Sequence, residues 1–93
     1  MDNYQREYLK RKAKRILYQA RNASFVKSLK HPSGRTLQVF TAERSRGFQT
    51  NYERKPIFYL LVYENGELIT GQTMTKTQWL KYEPQFMAVC HTS

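Results

Sequence analysis

The chain has 93 residues, with 16 Lys and Arg against 7 Asp and Glu, a formal charge of +9 and a sequence pI near 9.9. A length of this order makes one small domain, which excludes a two-domain enzyme closing over a cleft. An aromatic content of 14% excludes a basic disordered tail, because such tails lack the rings to build a core. The one cysteine, Cys90, excludes an internal disulfide framework and a cysteine-based zinc site and fits a reducing compartment. No apolar run approaches the roughly 18–20 residues of a membrane span, and residues 1–20 lack the apolar stretch of a signal peptide. The expectation is therefore a cytoplasmic protein with no membrane partner.

The charge is unevenly placed. Residues 1–30 carry +7, residues 31–56 carry +3 and residues 57–93 carry −1. Such asymmetry points to a basic face directed at a polyanion, whereas evenly spread charge would serve solubility alone. Without an internal repeat, low-complexity tract or Gly/Ser linker, residues 1–93 read as a single domain. Its parts are a basic amphipathic helix over 1–23, two β-hairpins over 24–74 with a basic loop at 43–56, and a short helix and tail over 75–93.

Asp2 or Asn3 can cap the first helix, and Lys, Arg, Leu, Gln and Ala fill positions 5–21 with good helix formers. At 100° per residue from Leu9, the residues Ala13, Ile16, Leu17, Ala20 and Ala23 fall within an arc of about −40° to +80°. Lys10, Arg11, Lys14, Arg15 and Arg21 occupy the opposite arc, with Tyr18 near its middle. The basic arc fits an ordinary solvated face and equally a surface laid along a phosphate backbone, with Tyr18 placed to stack on a base or sugar. A membrane-surface helix fits less well, since the apolar stripe is half alanine. A coiled coil would rest on only about two heptads.

Phe25, Lys27 and Leu29 alternate before the turn sequence His31-Pro32-Ser33-Gly34, and Leu37, Val39 and Thr41 alternate after it. This pattern predicts a hairpin with strands near 25–30 and 35–42, a helix through 24–30 being the alternative. Residues 57–63 are nearly all apolar, Asn65-Gly66 is the preferred type I′ turn, and 66–73 supply the partner strand. The strand over 57–63 reads as central and covered on both faces, one of them by the first helix. Gly71 marks either a bulge, the commoner case, or the approach of another backbone. Thr75 or Thr77 can cap a short helix that Pro84 ends or kinks, with Trp79 and Leu80 inward. Phe86, Met87 and Val89 fit a last helical turn or a short strand. The expected fold is α+β, with a long basic helix on an antiparallel sheet of about four strands.

For catalysis the inventory is poor. His31 and His91 have no carboxylate or nucleophile at a telling spacing, and Asp2 is the single aspartate. Cys90-His91 adjacency is no dyad, one Cys with two His makes no metal pattern, and no Gly-rich phosphate loop is present. No catalytic residue, metal, cofactor or small-molecule substrate is expected. The 43–56 segment is more informative, because it sets Arg44, Arg46, Arg54 and Lys55 around Phe48 and Tyr52. Guanidinium for phosphate and ring for base is the chemistry of a single-stranded groove. The rings could equally anchor the loop to the core, and Glu43 and Glu53 dilute its charge.

Two functions follow from these residues. The first is a non-enzymatic nucleic-acid-binding module for DNA or RNA, using Lys10, Arg11, Lys14, Arg15, Tyr18 and Arg21 on the helix with Arg44, Arg46, Phe48, Tyr52, Arg54 and Lys55 on the loop. The second is a small protein-binding accessory factor, an inhibitor or adaptor of the kind that phages and mobile elements encode, whose basic surface docks on an acidic protein or a nucleoprotein. Seven tyrosines suit either, since tyrosine is favoured at protein interfaces too.

Overall fold

Helix α1 (Asn3–Gln19) forms over the predicted run of good helix formers and tightens into a single 3-10 turn at Ala20–Asn22. Strands β1 (Ser24–Lys30), β2 (Arg35–Ser45), β3 (Arg54–Glu64) and β4 (Glu67–Thr75) follow, then helix α2 (Lys76–Val89) and a two-residue strand β5 (His91–Thr92). The computed structural model describes residues 3–45 and 54–92, and for Arg44, Ser45 and Arg54 the backbone alone. Every neighbouring pair is antiparallel in the order β4-β3-β2-β1-β5. The fold is α+β as the alternating patterns predict, with five strands in the sheet. The extra strand is β5, which α2 carries across to pair with Leu29 and Lys30.

Residues 24–30 are strand, as the hairpin pattern predicts, and the helical alternative does not occur. One expectation is corrected: the 43–56 segment is in good part ladder, since Glu43, Arg44 and Ser45 pair with Pro56, Lys55 and Arg54. Pairing continues because each added rung satisfies backbone groups that a loop would leave to water. Pro56 is tolerated because it falls outside the β3–β4 ladder, whose last pair is Ile57 with Thr75. The first four strands are thus one meander.

Alternation along β3 sends its side chains to two cores. On one face Leu60 joins Leu29, Leu37, Val39, Met74 and Trp79 of α2, with Phe58, Val62, Phe86 and Cys90 around them. On the other, Tyr59 and Leu61 join Ile16 and Ala20 of the N-terminal helical segment, flanked by Phe40, Ile57 and Leu68. Strand β3 is therefore covered on both sides, α1 lying over one of them as predicted. Each fully buried leucine or valine here contributes about 1.5–3 kcal/mol. Half-buried Lys27 and Glu83 add a 2.8 Å ion pair that ties β1 to α2.

Helix α1 packs chiefly on β4, less on β3, and it is the 3-10 turn that reaches β2. Contact with β4 is close at Gly71, where an added Cβ would lie 3.1 Å from the Leu60 carbonyl oxygen and 3.4 Å from the Ala13 Cα. Gly71 thus marks the approach of the helix backbone, while the bulge in β4 falls two residues earlier, at Ile69. A second bulge, at Val26, interrupts β1.

The turns follow their residues. Asn65 and Gly66 take φ of 53° and 80°, as a type I′ turn requires. In the first hairpin the Gly34 N–H donates to the His31 carbonyl at 2.9 Å. Thr75 caps α2 through a capping box, its Oγ1 accepting from the Gln78 N–H at 3.2 Å and its own N–H donating to Gln78 Oε1 at 3.1 Å. The helix does not end at Pro84 but runs on to Val89, so Phe86, Met87 and Val89 are helical. The bond that Pro84 lacks would have gone to the carbonyl of Leu80, and both residues lie on the exposed side, where water can substitute. Of Trp79 and Leu80 only Trp79 faces inward, stacked between Phe58 and Phe86 at 5.6 and 6.1 Å, and Leu80 is 56% exposed. Successive helical residues point 100° apart, and a flat sheet covers too narrow an arc to take both. Leu17 beside buried Ile16 is 42% exposed for the same reason.

Candidate nucleic-acid interface

Because Ala13, Ile16 and Ala20 face the sheet, the geometry of an α-helix turns the opposite arc to solvent. Arg11, Lys14, Arg15, Tyr18 and Arg21 are all exposed there, as are Lys12 and Tyr8 on the arc's flank. The row runs along a helix of 17 residues, about 25 Å long. Among the described residues neither Lys14 nor Arg15 has an ion-pair partner. Arg11 lies 4.0 Å from Glu7, an exposed i, i+4 contact that holds it only weakly. Arg21 is stacked on Tyr18, its guanidinium carbon 4.2 Å from the ring centroid, so a cation and an exposed ring are presented side by side.

Lys10 differs from the others in the predicted set. Its ammonium is 2.6 Å from a Glu67 carboxylate oxygen, at the start of β4. That hydrogen bond and the accompanying charge hold the Glu67 carboxyl below its ordinary value of 4.5. Lys10 is therefore partly committed to fixing the helix on the sheet.

The direction of α1 brings the two predicted basic segments toward one end of the molecule. Lys10 meets the first residue of β4, Ala13 lies against Gly71 at mid-strand, and Ala20 joins the cluster of Tyr59, Ala42 and Ile57. The helix thus ends where β2 and β3 run out toward Ser45 and Arg54. Lys55 is exposed there and pairs across the ladder with Arg44. Arg46, Phe48 and Tyr52 lie outside the described residues.

Other candidate chemistry takes structural roles. His31 Nδ1 accepts from the Ser33 N–H at 3.0 Å and lies 2.7 Å from Ser33 Oγ, which makes the imidazole part of the turn. Among the described residues no cluster of three His, Cys, Asp or Glu is placed to hold a metal, and no helix is long and apolar enough to cross a membrane. A cavity of about 320 Å³ opens on the α2 side over Leu29, Leu37, Leu60 and Val62, with Phe86 above. It exists because α2 crosses the sheet from β4 to β5 and leaves one end of that face uncovered.

Sequence reasoning missed one residue. Phe25 belongs by alternation to a buried strand face, yet it is 60% exposed. The signal was faint: Phe25 opens a strand that directly follows the basic helix. No family model matches the chain, and no curated protein or solved structure matches it either.

Proposed function

We propose that the chain is a non-enzymatic, cytoplasmic nucleic-acid-binding module that lays the outer face of α1 along a phosphate backbone and uses the basic end of the β2–β3 hairpin as a second contact. One observation carries this reading: among the described residues Lys14, Arg15 and Arg21 stand exposed on this arc with no carboxylate paired to them, while three of the sheet-side carboxylates pair away from it. Glu64, Glu67 and Glu83 are engaged with Arg35, Lys10 and Lys27. A face kept for solubility alone has no need of this segregation, and a row of unopposed cations is what releases counterions from a polyanion.

Direct titration tests the reading. With labelled single-stranded DNA, single-stranded RNA and duplex DNA at 50 mM salt, micromolar protein binds at least one; failure of all three ends the proposal. Leu80, Met87 and Val89, exposed along α2, favour the second reading, a protein-binding accessory factor. Partners recovered from lysate that survive nuclease and moderate salt would favour that reading, and partners lost on nuclease treatment favour the first.

A further inference from the structure

We infer that the half-covered sheet face beside α1 seats a single-stranded nucleic acid, with Phe25 as its base-stacking ring. The inference rests on the nucleic-acid reading and narrows it to one class of strand and one surface.

Three observations carry it. First, α1 covers β4 and β3 and only the 3-10 turn reaches one end of β2, so the rest of that side of β2 and β1 is left largely uncovered. The register places Lys30 of β1, Thr36, Gln38 and Phe40 of β2, and Tyr63 of β3 on that side, and the Val26 bulge brings Phe25 there too, opposite Phe40 and off the face of Lys27 and Leu29. Second, Phe25 is 60% exposed and meets Phe40 edge-on, with centroids 5.7 Å apart at 72°. Phe40 fixes the ring and leaves most of it open, an arrangement that suits a stacked base better than a core. Third, a concavity of about 360 Å³ lies at the other end of this floor between the two hairpin turns, over Thr36, Gln38 and Tyr63 with Lys30 at its rim. It is about 15 Å from Phe25 along β1, close enough for one short strand to reach both.

Charge and polarity decide the occupant. Among the described residues this floor holds Lys30 and no carboxylate, and Arg21 lies four residues before Phe25 on the turn that reaches β2. Gln38 and Thr36 offer donors and acceptors to base edges, and Arg21 and Lys30 offer cations to phosphates at either end. A duplex cannot use the ring, because its base faces are already stacked on one another.

Anisotropy titrations with labelled dT12, rU12 and a 12-base-pair DNA duplex at 50 mM salt test this, using wild type, Phe25→Ala and Phe25→Leu. The leucine variant keeps apolar bulk and removes only the π-face, and circular dichroism confirms that each variant is folded. The expected result is a loss of about 5- to 100-fold in single-strand affinity for both variants, with duplex affinity changed less than twofold. Wild-type single-strand affinity in both folded variants, or equal losses on single strand and duplex, overturns the inference and leaves the nucleic-acid reading in place. No binding of any of the three by wild type overturns both and leaves the floor to a protein partner.

Discussion

Lys10 and Glu67 show how one side chain can leave a set that its helical position assigns it to. By helical angle Lys10 belongs with Lys14 and Arg21, but a carboxylate from a turn far along the chain comes within 2.6 Å of it. That encounter depends on how α1 docks, so no local pattern announces it. The sign of its pH dependence follows from the shift: Lys10 depresses the Glu67 pKa in the folded state, so the pair's small contribution is present above the ordinary value near 4.5 and is lost as pH falls through the lower, folded value. A carboxyl-detected NMR titration is expected to place Glu67 below 4.5, and Lys10→Gln or high salt to return it toward that value. A Glu67 midpoint indifferent to Lys10→Gln would show that the pair does not form in solution. At the same scale Phe25 was hidden in the sequence, since the bulge at Val26 turns it off the face that alternation with Lys27 and Leu29 assigns it, and no local residue announces that bulge.

The elements themselves were legible where a periodic pattern met a strong stop signal. Asn65-Gly66 between apolar strands names its own turn and occurs as read, and of the two threonines read as caps it is Thr75 that takes the role. Of the two effects expected of Pro84, an end to the helix does not occur, because a proline's cost depends on whether water can reach the orphaned carbonyl, which sequence does not record. Gly71 is where the backbone of α1 comes against β4. In Gly71→Ala the new Cβ meets the Leu60 carbonyl at 3.1 Å and the Ala13 backbone at 3.4 Å, neither of which can swing aside like a side chain. Overpacking then outweighs the entropy that alanine saves, and a loss of about 1–2 kcal/mol is expected in urea unfolding. Unchanged or increased stability would mean that the Leu60 carbonyl gives way to the added methyl group.

At the scale of the whole molecule the chain forms a slab of 46 × 32 × 20 Å with a radius of gyration of 14.5 Å, above the roughly 12 Å of a more spherical chain of this length. Its two helices lie on opposite sides of the sheet, so the N-terminal charge is gathered on one face while α2, with Lys76, Lys81 and Glu83, is nearly neutral. The segmental charge imbalance was readable from composition. That it would become a face, with α1 pointed toward the β2–β3 end, depended on the docking of helix on sheet.

The central claim is that this face neutralises phosphates, and the salt dependence of binding tests it most directly. For a single-stranded oligonucleotide, the slope of log K against log salt is measured for wild type and for a variant carrying Arg11→Gln, Lys14→Gln and Arg15→Gln, three exposed positions whose side chains support no core contact. The account predicts a steep wild-type slope of about −3 to −4 and a variant slope shallower by about 2. An unchanged slope in the folded variant, or a wild-type affinity that ignores salt, would contradict it.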